Sequence, residues 1–489
     1  MNKVFQNRFF LWFCAFIGII TTLIPIIGSL VNGILHVDEP IILVEMERIA
    51  EGYVPYVDMH LNYPPLWFYL MAGFKHLFHI PYGNYFFYHL IHYIFVIADA
   101  ILIAGICRKN GFSYLISWFS AWLFFIVSHW MSGNAILFEM PSIFFGLLAI
   151  WLVLQQKQNV YMYFLIGIIT ACSFLIKQFG AGFFILVLLV ILLSNYHEWK
   201  YILAYIIGYV LPICICIFLW HSDFVNSVIF NGYGTTNAVD GETISLLTWY
   251  NIGWVCKRLV WFVVRCFPIL LATPLLFFRQ WNKQYGSLFI IGICGILGFS
   301  LQFLFVHWNP MGLLHYNLYM IPFAIFIMAF ILDQFKTQIL GVKILVLFLL
   351  LVTLLLSFYS TYYNRVWKIY FNSSGMKGDI EFAKNIASRV DEGARIWIVD
   401  SNKENIYWFA NLLPPNMKTV GYSTGSLEIT KERAQLQIDS AEYVLHCVES
   451  DYCIPAFTDS MKAYLNQFET DTFDNGGWTL LLHNTKIKK

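Results

Sequence analysis

Residues 9–31 read FFLWFCAFIGIITTLIPIIGSLV, twenty-three positions without a charged side chain. A helix rises about 1.5 Å per residue and the hydrocarbon core of a bilayer is about 30 Å thick, so roughly 20 such residues span it. The run passes straight into polar sequence without a small-residue cleavage site, so it is expected to stay in the chain as a span. Ten further segments have the same character: 84–106, 112–130, 136–154, 160–176, 179–194, 200–220, 256–278, 287–306, 314–332 and 341–360. The weakest boundary separates the fifth from the sixth, at Lys177-Gln178-Phe179-Gly180. Composition agrees with a membrane protein. Of the 489 residues 59% are hydrophobic and 12% charged, with a mean hydropathy of +0.64. Soluble domains sit near about 45–50% and about 25%. A water-soluble enzyme and a disordered chain are excluded, and a net charge of +1 offers no basic surface to a nucleic acid.

Charge distribution sets the orientation. With the N-terminus inside, Lys3, Arg8, Arg108, Lys109, Lys157, Lys200, Arg279, Lys283, Lys336 and Lys343 all fall on the cytoplasmic side, as cytoplasmic loops require. The opposite loops carry Asp38, Glu39, Glu45, Glu47, Glu51, Asp58, Asp223, Asp240 and Glu242. Eleven spans then leave the C-terminal part outside. The balance also changes along the chain: residues 1–369 hold 18 Lys/Arg against 13 Asp/Glu, and residues 370–489 hold 12 against 16. The expected architecture is a polytopic α-helical membrane domain over 1–369, with a first external loop at 32–83, and a soluble extracytoplasmic α/β domain over 370–489. In the latter, 379–390, 405–412 and 457–468 read as helices and 394–399, 443–448 and 479–482 as strands. Most cysteines lie in or beside spans and read as small packing residues. Cys447 and Cys453, six residues apart in the outer part, are a candidate disulfide.

Six of the thirteen acidic residues of the membrane part fall within 32–64, against a single Arg48. Asp38-Glu39 follows the first span directly, where a carboxylate meets a lipid headgroup from one side and a water-borne acceptor from the other. Residues 40–52 are expected to form a helix lying along the interface. Pro64-Pro65 resets the chain direction before the aromatic run Trp67-Phe68-Tyr69. The plainer alternative is an acidic loop that merely obeys the charge rule.

The phrases in this loop are Asp38-Glu39, then Gly52…Pro55-Tyr56-Val57-Asp58, then Pro64-Pro65-Leu66. Together they resemble the first external loop of GT-C glycosyltransferases, in the branch of protein O-mannosyltransferases and lipid A aminoarabinose transferases. Residues 167–179, with Lys177, and His315-Tyr316 followed by Pro322 are similar to later segments of that branch. The resemblance covers 1–360 in architecture, with its specific motifs in about forty residues. It implies a GT-C-like fold and transfer of a sugar from a polyprenyl-phosphate carrier, with inversion, to an envelope glycan, lipid or protein acceptor. The enzyme would sit in a bacterial inner membrane with its site on the periplasmic face.

The residues suit that chemistry. An acceptor hydroxyl is a poor nucleophile, and a carboxylate within reach takes its proton as the new bond forms. Asp38 is the expected base, with Glu39 and Asp58 orienting it or holding sugar hydroxyls. Glu139, at the outer end of the fourth span, is the second catalytic candidate, because a carboxylate at the membrane edge is costly enough to be functional. Its alternative is a solvated helix-end residue. The leaving lipid phosphate needs cations, for which Lys177 at the outer break is favoured. Arg258 and Arg265, seven residues apart, are expected on one helix face as a second basic strip. Structural pairing of Arg265 with Asp99 or Glu139 is the alternative. His315 and Tyr316 are placed at the phosphate or sugar, or else in the interfacial belt. Catalysis is expected to need no cofactor. Asp38, Glu39, Asp58, Glu139, His36 and His60 offer metal donors, but at no diagnostic spacing. A transporter or flippase of lipid-linked glycans is the main rival, although such proteins place charges near the midplane. An O-antigen-ligase or polymerase type of enzyme is the other; it would put its chemistry in a large late external loop, whereas the richest loop here comes first and 221–253 reads as a loop that gates the site.

Overall fold

The computed structural model describes residues 8–32, 39–59, 61, 63–81, 84–155, 159–193, 198–231, 249–276, 283–305, 314–335, 338, 340–362, 374–398, 407, 410, 412, 438–439, 441–447, 463–475 and 478–488. The chain packs as two compact units. The first takes residues 1–35, 86–218 and 245–372. The second takes 36–85, 219–244 and 373–489. The second unit thus takes in most of the first loop and 219–244 along with the C-terminal part.

The helices of the first unit are α1 (Arg8–Asn32), most of α4 (Tyr85–Lys109), α5 (Tyr114–Trp130), α6 (Glu139–Leu154), α7 (Val160–Ile176), α8 (Gly182–Leu193), most of α9 (Trp199–Phe224), α10 (Trp249–Trp261), α11 (Lys283–Gln302), α12 (Ile321–Gln334) and α13 (Leu340–Phe358). Between them α2 (Glu39–Ala50) and α3 (Leu66–Phe78) fall in the second unit, as does α14 (Ser374–Ala387). Among the described residues four stretches are long and apolar enough to cross a membrane: Tyr85–Lys109, Trp199–Ile229, His315–Gln334 and Leu340–Tyr362. Six shorter apolar helices accompany them, at Phe16–Leu30, Tyr114–Trp130, Glu139–Leu154, Val160–Ile176, Gln178–Leu193 and Ser287–Gln302. Side chains cap the starts of α5 and α7: the Ser113 hydroxyl accepts from the Ile116 N–H at 3.3 Å and the Asn159 amide oxygen from the Tyr161 N–H at 2.9 Å.

The expected eighth span, 256–278, is not one continuous helix. α10 ends at Trp261, a π turn follows at Phe262–Cys266, and a 3₁₀ turn begins at Pro268. Proline lacks the N–H that would continue the ladder, so the chain breaks there.

Packing explains which helices lie inside. In α12 every residue from 321 to 331 is buried, so this helix is enclosed on all sides, and α11 packs along it. α4 and α13 instead expose Ile94, Ile97, Ile101 and Phe348, Leu351, Leu355 at helical spacing, a face suited to acyl chains. α7 and α9 cross with backbones nearly touching. A Cβ on Gly167 would lie 2.2 Å from the Tyr205 carbonyl oxygen, and one on Gly208 would lie 2.1 Å from that of Phe164. Small residues permit such close crossings where the hydrophobic effect does not drive helix pairing. Gly208→Ala should therefore destabilise the protein by about 1–3 kcal/mol through overpacking. Gly298→Ala makes the same change where nothing lies within 4 Å, and should be neutral or mildly stabilising. Melting of the two purified variants side by side checks this.

In the second unit α2 and α3 pack together, and Lys75 of α3 forms an ion pair with the buried Glu47 of α2. A helix expected at 40–52 is present as α2, ending at Ala50, and Pro65 precedes the start of α3. The C-terminal part holds α14 and a four-stranded sheet of β1 (Ile396–Ile398), β2 (Tyr443–Cys447), β3 (Phe468–Asn475) and β4 (Trp478–Lys488), in the order β1-β2-β4-β3. β1 and β2 run parallel; the other pairs are antiparallel. Strand β3 was not expected. Its first residue, Phe468, was read as the end of a helix over 457–468, of which 457–462 lie outside the described residues. Most of 405–412 and Cys453 lie outside them too, and with Cys453 the candidate disulfide.

Candidate active site

Glu139 opens α6, and the segment that delivers it is wholly buried. The Gly133 N–H donates to the Ser128 carbonyl at 2.8 Å, and its own carbonyl lies 3.0 Å from His92 Nε2. Asn134 Nδ2 donates to the Ser29 hydroxyl at 3.2 Å. Residues 131–138 are thus pinned between α1, α4 and α5. At the start of α6 the aligned peptide dipoles favour a carboxylate.

Lys177 occupies the break between α7 and the turn Gln178–Ala181, with an extended backbone. The turn closes tightly: the Gly180 N–H donates to the Lys177 carbonyl at 2.8 Å, and a Cβ on Gly180 would lie 2.2 Å from the Ser173 carbonyl oxygen. A pair of serines clasps α6 to α7 beside the two charges. Ser142 Oγ donates to the Ser173 carbonyl at 2.9 Å and Ser173 Oγ to the Ser142 carbonyl at 2.7 Å. Ser142 is three residues after Glu139 and Ser173 four before Lys177, each one helical turn away. The clasp therefore fixes the separation of the ionic groups.

Lys177 Nζ lies 3.6 Å from Glu139 Oε1, and His315 Nε2 lies 3.9 Å from the same oxygen. All three side chains are buried, Glu139 at 1% exposure. Both distances exceed a direct hydrogen bond, and among the described residues neither Glu139 oxygen accepts one. The carboxylate is balanced by charge and keeps its lone pairs for another partner. Aromatic faces complete the surroundings. Lys177 Nζ stands 5.1 Å from the centroid of Phe138 and 4.9 Å from that of Tyr316, while Phe179 stacks on Tyr316 at 4.6 Å. The His315 and Tyr316 rings are 4.5 Å apart.

Arg258 reaches the far side of this aromatic group. Its guanidinium lies 3.6 Å from the centroid of Phe303, and its Nε donates to Asn317 Oδ1 at 2.9 Å. Phe303 in turn meets Tyr316 edge-on at 6.4 Å. The structure thus gathers five of the candidates, Glu139, Lys177, Arg258, His315 and Tyr316, into one buried site in the first unit. Arg265 is not with them. It is exposed, whereas Arg258 is 2% exposed, because the π turn at 262–266 rotates the chain and breaks the expected common face. Nor does Glu139 pair with Arg265. The basic groups beside it are the Lys177 ammonium and the His315 imidazole.

The first-loop candidates belong to the second unit. Glu39 is fully buried and accepts from the Tyr85 hydroxyl at 2.7 Å. Asp58 Oδ2 accepts from the Val54 N–H at 2.8 Å, so one carboxylate oxygen is engaged in shaping its own turn. Asp38 lies outside the described residues, as do His36 and His60. Among the described residues no three His, Cys, Asp or Glu side chains converge as metal ligands. Sequence reading missed Asn317, Phe138, Phe179 and Phe303. Asn317 is two residues from His315 and Phe138 adjoins Glu139, so position alone gave a hint; Phe303 gave none.

No protein-family profile matches the chain, and no curated protein matches it. Solved structures do. The crystal structure of ArnT from Cupriavidus metallidurans bound to undecaprenyl phosphate superposes with a TM-score of 0.61 at 12% identity, over 96% of this chain and 98% of that one. The same protein in the apo state gives 0.58 at 12% identity, over 98% and 99%. Archaeal oligosaccharyltransferase AglB from Archaeoglobus fulgidus, in complex with an inhibitory peptide and a dolichol-phosphate, gives 0.53 at 10% identity, over 97% and 75%. At these identities the likeness is one of fold: the chain shares the fold of these ArnT and AglB structures.

Proposed function

We propose that the protein is a polyprenyl-phosphate-sugar-dependent glycosyltransferase, with eleven spans, a cytoplasmic N-terminus and its C-terminal domain on the extracytoplasmic face. The observation that carries this reading is the buried site in which Lys177 and His315 lie beside Glu139 and Arg258 lies across the aromatic group, within a fold shared with proteins bound to undecaprenyl phosphate and dolichol-phosphate. Buried cations in a membrane protein need an anionic partner. A lipid phosphodiester is an anion that such side chains can hold.

In the proposed reaction Lys177, Arg258 and His315 hold the phosphate of the donor. Asp38 takes the proton of the acceptor hydroxyl as that oxygen attacks the anomeric carbon from the face opposite the phosphate. The bond between the anomeric carbon and the phosphate oxygen breaks, and the carrier leaves as a phosphate monoester. The extra negative charge forms where the cations stand, so they bind the transition state more strongly than the donor. Glu139 keeps Lys177 and His315 aligned and presents its free lone pairs to the sugar. Glu39 and Asp58 shape the loop that carries Asp38. No step is assigned to a metal. A transporter remains the second reading, favoured by the broken helix at Phe267-Pro268, since transporters bind at such interruptions.

Carrier recognition is tested by melting. Undecaprenyl phosphate at a hundredfold excess over its Kd should stabilise the protein by about 2.7 kcal/mol. Undecaprenol, which lacks the phosphate, should leave melting unchanged, and Arg258→Met should remove most of the shift. Equal stabilisation by the two lipids would reject the phosphate site.

A further inference from the structure

The second unit contains a contact between two segments 342 residues apart in sequence that the proposed reaction does not use. Arg395 Nη2 donates to the Tyr53 hydroxyl at 2.7 Å. The other face of the arrangement is Arg48, whose guanidinium carbon lies 5.1 Å from the Tyr53 ring centroid. Two guanidiniums therefore converge on one tyrosine, which accepts a charge-assisted hydrogen bond at its tip and a cation at its ring. Glu51 supplies the counter-charge. Burial pushes its carboxyl above the ordinary range, and Arg48 and Arg395 pull it back.

Each end of this contact is rooted. Arg395 immediately precedes β1, and its carbonyl accepts from both the Glu442 N–H at 2.7 Å and the Tyr443 N–H at 3.1 Å. Its backbone is thus part of the β1–β2 ladder. Tyr53 follows α2, with its N–H on the Arg48 carbonyl at 3.0 Å. From there the chain makes one closed turn. The Asp58 N–H donates to the Val54 carbonyl at 2.9 Å, the Asp58 carboxylate takes the Val54 N–H, and Tyr56 sits at φ 65° with its hydroxyl donating to the Tyr63 carbonyl at 2.7 Å. A positive φ at a tyrosine is strained, and a strained turn persists only where its surroundings hold it. That turn is the Gly52…Pro55-Tyr56-Val57-Asp58 phrase of the first loop. The sheet's arginine is fastened to its leading residue.

We infer that Arg395 is a positioning residue: through Tyr53 it fastens the C-terminal sheet to the strained turn 53–59, and so holds the acidic first loop in its working shape. The C-terminal domain then acts on the reaction without touching substrate. The activity consequence rests on the transferase reading above; the fastening itself does not.

The test uses the full-length protein in lipid nanodiscs, with amide hydrogen exchange read by mass spectrometry. Arg395→Met and Tyr53→Phe should each speed exchange across 51–59 at least tenfold while the amides of 443–447 stay at the wild-type rate. Arg395→Lys should fall between, because an ammonium supplies a single-point donor. In the transfer assay Arg395→Met should lower kcat about tenfold with the KM for the lipid donor unchanged. Unchanged exchange across 51–59 in both Arg395→Met and Tyr53→Phe overturns the inference. So does a loosened turn with undiminished kcat. If Arg395→Met also loosens 443–447, Tyr53→Phe, which leaves the sheet untouched, decides. Should the wild type transfer no sugar, the transferase reading fails, and the exchange measurement decides the fastening alone.

Discussion

Lys177→Met is expected to lower sugar transfer at least about a hundredfold and to destabilise the fold as well. Two separate losses contribute. The phosphate leaves with one cation fewer, an effect comparable to deleting one electrostatic stabiliser of a transition state, about 10²–10³ in kcat. Glu139 is also left buried with the His315 imidazole 3.9 Å away as its neighbour. Removing one member of a buried ion pair costs about 3–5 kcal/mol, because the other charge stays desolvated. A double-mutant cycle separates the two. Lys177→Met combined with Glu139→Gln removes both charges, so melting should recover most of the loss while transfer stays low. Recovery of transfer along with stability would mean that Lys177 serves only to neutralise Glu139.

Asp38→Asn carries the second large effect. Asparagine keeps the size and polarity of the side chain but takes no proton at the pH of the reaction. If Asp38 is the base, kcat falls by about 10²–10⁴. Undecaprenyl phosphate should still raise the melting temperature of this variant as in the wild type, because no phosphate ligand has changed. Asp38→Glu, which returns a carboxylate at a slightly different reach, should restore part of the rate. Normal transfer by Asp38→Asn would move the base elsewhere, with Glu139 first in line.

The reading of the chain succeeded where one physical signal dominates. Uninterrupted apolar runs marked most of the helices, and the same runs put Glu139 and Lys177 at helix ends, where the structure has them. Hydropathy is an average, however, and averages hide breaks. Pro268 stood in the eighth run as a visible helix breaker, but apolar flanks on both sides let the run pass as one span. The resulting π turn is what parted Arg265 from Arg258, which ideal helical spacing had placed together. Strand β3 was missed for the opposite reason. Glu469, Asp471 and Asp474 depress its hydropathy, although Gly476-Gly477 directly after it is a hairpin signal. The pairing of Glu139 with Lys177 and His315 was beyond sequence reasoning, since it brings together three elements and depends on the Ser142–Ser173 clasp. So was the Arg395–Tyr53 contact, which joins positions at opposite ends of the chain.

The most direct test is transfer itself. Membranes containing the wild-type protein are given a panel of radiolabelled polyprenyl-phosphate sugars, and label is followed from carrier lipid into envelope material. The account predicts that one donor loses its label to an acceptor, and that Asp38→Asn and Lys177→Met both abolish the movement. Carrier lipid crossing the bilayer with its sugar still attached, and no label on any acceptor, would contradict it and make the protein a transporter.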